Sequence, residues 1–244
     1  MGKNKKDDPV VENDNSKRSV LGQAGYVFGP ILFFMILYIG IQVICSVVLI
    51  ITGQVTEEGE LSGMMQTFAT MVSMTWCGIF IFLRYRKENI FPARLPLLGK
   101  RGILTFLAIF VAAGGLAVGL NRLIFAVVRT TGVGLEYLKS ASFQGDIHPL
   151  IAVLAYVIVA PLMEEIVFRG IVCARIETVW GKTAAVILSS VVFALYHINP
   201  VQMVYALLMG LIMGYLRVGR STWWMALAFH MGANAFSILV GFLS

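Results

Sequence analysis

The chain has 244 residues, of which 58% are hydrophobic and 13% charged, with a mean hydropathy of +0.83. Soluble domains are about half apolar and about a quarter charged, so the composition excludes one and points to a membrane protein. The net charge of +6 suits a membrane protein whose basic loops face anionic inner-leaflet lipid. Nucleic acid is not among its expected partners, because its binders cluster charge on a folded polar face.

The first 22 residues, MGKNKKDDPVVENDNSKRSVLG, are polar and mixed in charge, which predicts a disordered tail. The apolar run after it, about 26–52, is too long for the core of a signal peptide. Further apolar segments follow at about 62–83, 102–121, 149–168, 183–197, 201–216 and 222–243, each read as a membrane span. Long apolar blocks favour helices over the short alternating strands of a barrel. The expected fold class is therefore all-α: a polytopic membrane helix bundle of about seven transmembrane helices over 23–244, with a short helix pair around Asn199-Pro200. Cys45, Cys77 and Cys173 are scattered through apolar segments and suggest neither disulfides nor a cysteine metal site.

Basic residues set the orientation, because positively charged loops stay in the cytoplasm. Of the 19 Lys and Arg residues, only Arg122, Arg129 and Lys139 fall on the far side, when Arg169, Arg175, Lys182, Arg217 and Arg220 are counted at cytoplasmic loops. Glu57, Glu58 and Glu60 share the far side. The expected N-terminus is cytoplasmic and, after seven crossings, the C-terminus lies outside, in a bacterial plasma membrane.

The fourth span carries PLMEEIVFRG. A carboxylate at mid-membrane costs at least about 2.5–3.5 kcal/mol, so two adjacent ones need partners or a purpose. Glu165 and Arg169 are four apart and share a helical face. Glu164 is rotated by about 100° and is left over. Two later segments pair Phe193 with His197 and His230 with Asn234, again four apart, aiming each pair at one target. The turn at Asn199-Pro200 is expected to be buried inside the protein, bringing His197 to the depth of Glu164.

A carboxylate and an imidazole together can deprotonate a water and later protonate a leaving amine. A second imidazole and an amide on one face can donate to a tetrahedral oxyanion. Amide hydrolysis is the chemistry these groups suit. Ser189 and Ser190 sit in no nucleophile-elbow pattern, and no H-E-x-x-H helix is present.

E-E-x-x-x-R, F-x-x-x-H and H-x-x-x-N, in this order on successive apolar helices over about 145–240, resemble the CPBP family of intramembrane proteases, which comprises CAAX prenyl endopeptidases and bacterial relatives named for bacteriocin processing and self-immunity. The resemblance implies that 145–240 is the catalytic core, that Glu164 activates water with His197 assisting, that His230 and Asn234 stabilise the oxyanion, and that Glu165, Arg169 and Phe193 are structural. It implies a peptide or protein substrate, prenylated for some members, met in membrane lipid. No cofactor is expected, since Asn234 is a poor zinc ligand and a good oxyanion donor. The alternative is one zinc held by Glu164, His197 and His230.

A non-catalytic scaffold or immunity protein, binding a partner through the same polar cluster, is the competing function. A proton-coupled transporter is a third, without the paired inverted halves expected of it. Among weaker features, His148-Pro149 reads as a helix start, Gly210 and Gly214 as a close helix contact, and Asn121-Arg122 as the outer end of the third span, with Arg122 snorkelling.

Overall fold

A computed structural model gives the fold for residues 19–56, 59, 61–88, 99–141, 147–220 and 222–243. Every helix and strand assigned among them is helix: α1 (Val20–Ile51), α2 (Gly63–Tyr85), α3 (Lys100–Thr131), the short α4 (Leu135–Ala141), α5 (Pro149–Tyr196), α6 (Pro200–Arg220) and α7 (Trp224–Leu243). Six are long and apolar enough to cross a membrane.

α5 folds back on itself. At Gly181 the backbone has φ 83° and ψ 176°, a region open essentially to glycine alone, and the helix divides into arms 149–180 and 182–196. The Cys173 thiol reaches the Ala185 carbonyl at 3.7 Å, so the arms run antiparallel side by side. Counting them separately gives seven rods, in accord with the seven apolar segments. The fourth extends twelve residues beyond the expected end at 168, because Arg175 and Glu177 find partners there. Arg175 pairs with Glu88 at 2.6 Å, lies over the Tyr26 ring at 4.3 Å and donates to the Tyr26 carbonyl. Glu177 pairs with Arg217. These contacts fasten α1, the segment just after α2, and α6 to the hairpin end of the first arm of α5.

Polar residues close the helix ends, as they must where water is scarce. Ser19 and Ser62 hydroxyls accept from Gly22 and Met65 amides. His148 Nδ1 accepts from Leu150 N with Pro149 in the first turn, which is the helix start expected there. Asn199 Oδ1 accepts from Val201 and Gln202 amides at 3.0 and 3.3 Å, and Pro200 opens α6.

Glycines set the closest helix contacts. A side chain at Gly232 would collide with the Phe110 carbonyl, joining α7 to α3, and one at Gly78 with Met163, joining α2 to α5 beside Glu164. Gly210 and Gly214 lie against Ser190 and Val186, so the Gly-x-x-x-Gly contact is between α6 and the second arm of α5. Around this core, α1 and α3 present mostly exposed aliphatic side chains, as lipid-facing helices do.

Three expectations change. Arg169 is no loop residue: it is 0% exposed, in the middle of the bundle, so it does not bear on orientation. The Asn199-Pro200 turn is not buried, since Ile198 is 78% exposed in a left-handed conformation with φ 61°; the turn is held from α4, where the Tyr137 carbonyl accepts from Asn199 Nδ2 at 2.9 Å. Asn121 and Arg122 are not at a helix end, because α3 runs on to Thr131, and Asn121 bonds Ser237 of α7 at 3.0 Å. Helix α1 begins at Val20, inside the expected tail; the tail over 1–18 and the loop residues Glu57, Glu58, Glu60 and Arg94 lie outside the described residues.

Candidate active site

The first arm of α5 is irregular where its carboxylates sit. Two π-helical stretches, Val153–Val159 and Ile166–Val172, flank a short α-helical piece, Ala160–Glu165. Such wide turns are a frequent mark of functional sites. Pro161, having no N–H, accounts for a break in the ladder before Glu164.

Glu165 and Arg169 are both fully buried, with 3.4 Å between Oε1 and Nη1. This is the pair expected from their spacing. Glu165 has a second partner, however: His230 Nδ1 lies 3.0 Å from the same Oε1. Arg169 Nη2 also donates to the Gly210 carbonyl at 3.4 Å, and the ring of Phe193 lies 4.3 Å below its guanidinium carbon.

Phe193 is the hub of the site. Its ring meets His197 edge-on at 4.8 Å, His230 at 5.7 Å and Phe168 at 5.2 Å. A ring's negative faces and positive edge suit it to hold a cation on one side and ring edges on others. Phe193 therefore orients both imidazoles while carrying Arg169.

The two histidines share one arrangement. His197 Nδ1 is 2.9 Å from the Phe193 carbonyl, which can only accept, so Nδ1 carries hydrogen and Nε2 is left for chemistry. His230 Nδ1 is engaged with Glu165, and its Nε2 faces Glu164 Oε2 at 3.7 Å. That separation is beyond a direct hydrogen bond. Asn234 Nδ2 donates to the Tyr156 carbonyl at 2.8 Å.

Depth is consistent as well. Arg169 bonds the Gly210 carbonyl, and Gly210 packs on Ser190, so the three share a level. At about 1.5 Å per residue, Glu164 lies about 7 Å and His197 about 10 Å from it, both towards the same end of the antiparallel arms. Glu164, His197, His230 and Asn234 line a single cavity of about 490 Å³. The structure thus brings all four candidate catalytic residues together, and Phe193 lines the same space.

Several lining residues carry no sequence signal of their own. Tyr38, Thr70, Tyr156, Tyr196 and Tyr205 line the cavity, yet each reads in sequence as an ordinary amphipathic residue of an apolar span. Tyr156 alone is hinted at: it stands four and eight residues before Ala160 and Glu164, which also line the cavity.

Zinc is less well served. The donor types of Glu164, His197 and His230 suit it, and a carbonyl or carboxylate on the remote nitrogen is the usual support for a metal-bound histidine. Among the described residues, however, no three His, Cys, Asp or Glu side chains converge closely enough to hold an ion. We derive no step through a metal.

Comparison with known proteins finds a family resemblance over the part of the chain that holds these residues. Residues 146–236 match the family model described as Type II CAAX prenyl endopeptidase Rce1-like, a span that holds Glu164, Glu165, Arg169, Phe193, His197, His230 and Asn234. A Bacillus subtilis (strain 168) protein named "Putative membrane peptidase YdiL" is 24% identical over 195 residues, covering 77% of this chain and 76% of that protein. Over residues 146–236 the chain thus resembles the CPBP family. No solved structure matches significantly. The CPBP match covers α5 and α6 and most of α7, the helices that carry the motif residues, whereas α1 and α2 contribute cavity wall from outside it.

Proposed function

We propose that this protein is an integral-membrane endopeptidase in which Glu164 activates water. The observation that carries the reading is that Glu164, whose Oε2 faces His230 Nε2 at 3.7 Å, lines one cavity of about 490 Å³ together with His197, whose Nδ1 is held by the Phe193 carbonyl.

In this reading Glu164 removes a proton from a water that His197 Nε2 holds by its other hydrogen. The water oxygen attacks the scissile carbonyl carbon, and the electron pair moves onto the carbonyl oxygen. His230, carrying hydrogen on both nitrogens, presents Nε2–H to this oxyanion. The Glu165 carboxylate at Nδ1 offsets the imidazolium charge, and with Arg169 and Glu164 the four groups sum to zero. Glu164 then passes its proton to the amine nitrogen as the C–N bond breaks, releasing a carboxylic acid and an amine. Each group returns to its starting state.

The substrate is a peptide or membrane-associated protein, with prenylated CAAX-type C-termini as the class the family description suggests. The N-terminus lies in the cytoplasm, on the side of Lys100, Arg101 and Lys182. Cleavage of a peptide panel by the purified protein, lost in Glu164→Gln and kept in the presence of a zinc chelator, tests the reading. Equal cleavage by both proteins overturns it.

A further inference from the structure

Pro161 leaves a gap in the hydrogen-bond ladder of α5, and α7 fills it. In a π-turn each N–H reaches back five residues; the Ala160 N–H goes to Ala155, so the next carbonyl, that of Tyr156, falls to residue 161. Proline has no N–H to offer. The Tyr156 carbonyl is instead met by Asn234 Nδ2 at 2.8 Å. Because a carbonyl only accepts, this contact also orients the amide, with Nδ2 on α5 and Oδ1 turned away.

The same tyrosine is held at its other end. Its hydroxyl lies 3.1 Å from Thr67 Oγ1. Thr67 already donates to the Gly63 carbonyl at 2.8 Å, so Tyr156 is the donor. Tyr156 is thus clamped between α2 and α7, two helical turns before Glu164, and both residues line the cavity.

We propose that Asn234 is a positioning residue: by supplying the hydrogen that Pro161 lacks, it fixes the π-turn at Tyr156 and with it the placement of Glu164 against His230 and His197. The proposal rests on the reading in which Glu164 activates water. It differs from a role in which the Asn234 amide binds the oxyanion itself.

Pro161 supplies the test, because Pro161→Ala restores an N–H at the position from which Tyr156 would receive it. Asn234→Ala, Pro161→Ala and the double variant are compared in detergent by kcat and KM on a cleaved peptide and by thermal unfolding. Asn234→Ala should lower kcat by up to about a hundredfold, the effect of a misplacement near 1 Å, with KM little changed. Adding Pro161→Ala should recover most of kcat and of the unfolding temperature. A double variant as slow as Asn234→Ala overturns the proposal in favour of direct contact with the reacting atoms. A variant Asn234→Ala that unfolds earlier but keeps wild-type kcat per folded molecule also overturns it, leaving a purely structural tether. If Asn234→Ala yields no folded protein, recovery of folded protein in the double variant supports the tether and failure to recover it contradicts it. Wild-type protein inactive on every peptide removes the protease reading, and the unfolding temperatures alone then decide whether the tether exists.

Discussion

His230 Nδ1 lies 3.0 Å from Glu165 Oε1, so the second glutamate of the pair serves the His230 imidazole as well as Arg169. Its charge is shared between two buried partners on two helices.

Glu165→Gln keeps the size and an accepting oxygen but removes that charge. Arg169, 0% exposed, then has no carboxylate against it, and leaving a buried charge uncompensated costs about 3–5 kcal/mol. Unfolding in detergent should occur at a clearly lower temperature or denaturant concentration than in wild type. A variant Glu165→Gln as stable as wild type would show that Phe193 and the Gly210 carbonyl suffice for Arg169.

Phe193→Leu removes the ring beneath Arg169 and between the two imidazoles. A desolvated cation–π contact is worth about 2 kcal/mol, and the smaller side chain adds a packing loss. Both stability and kcat should fall, since His197 and His230 lose a shared wall. Stability loss with unchanged kcat per folded molecule would confine Phe193 to holding Arg169.

Gly181→Ala tests the hairpin of α5 apart from the chemistry. With φ 83° and ψ 176°, alanine there should cost about 1–3 kcal/mol, although open space surrounds the position. The unfolding midpoint should drop while kcat per folded molecule stays at the wild-type value. An unchanged midpoint would mean that the chain reverses without this conformation.

The sequence reading and the structure agree where regular helical spacing decides the outcome. Spans show as apolar blocks, and Glu165 with Arg169 and Phe193 with His197 meet because four residues return a helix to the same face. Which atoms meet between helices was not legible. Nothing in the spacing announces that His230 reaches Glu165 across 65 positions, and charge alone places Arg169 in a loop, whereas Gly210 of α6 and Phe193 of the second arm of α5 hold it inside the bundle together with Glu165. The π-turns were missed for a related reason: periodicity assumes 3.6 residues per turn, and the irregular stretches of α5 depart from it. The buried turn expected at Asn199-Pro200 fails because α4 holds that turn from outside through Tyr137, a contact between distant segments.

His197→Gln replaces the Nε2 that holds the attacking water with an amide. A misplacement near 1 Å costs about a hundredfold, so kcat should fall by that order while KM changes little. Because His197 is only partly buried, unfolding should be nearly unaffected. Steady-state kinetics on the same peptide decide this, and a rise in KM alone would assign His197 to substrate binding.

The most direct measurement of the central claim is cleavage of a quenched-fluorescence peptide panel, prenylated and unprenylated, by detergent-purified wild type and Glu164→Gln, each with and without a zinc chelator. Wild type should cleave at least one peptide with or without chelator, while Glu164→Gln loses at least about 10²–10⁴-fold in kcat and unfolds as wild type does. Near wild-type cleavage by Glu164→Gln would contradict water activation by this carboxylate.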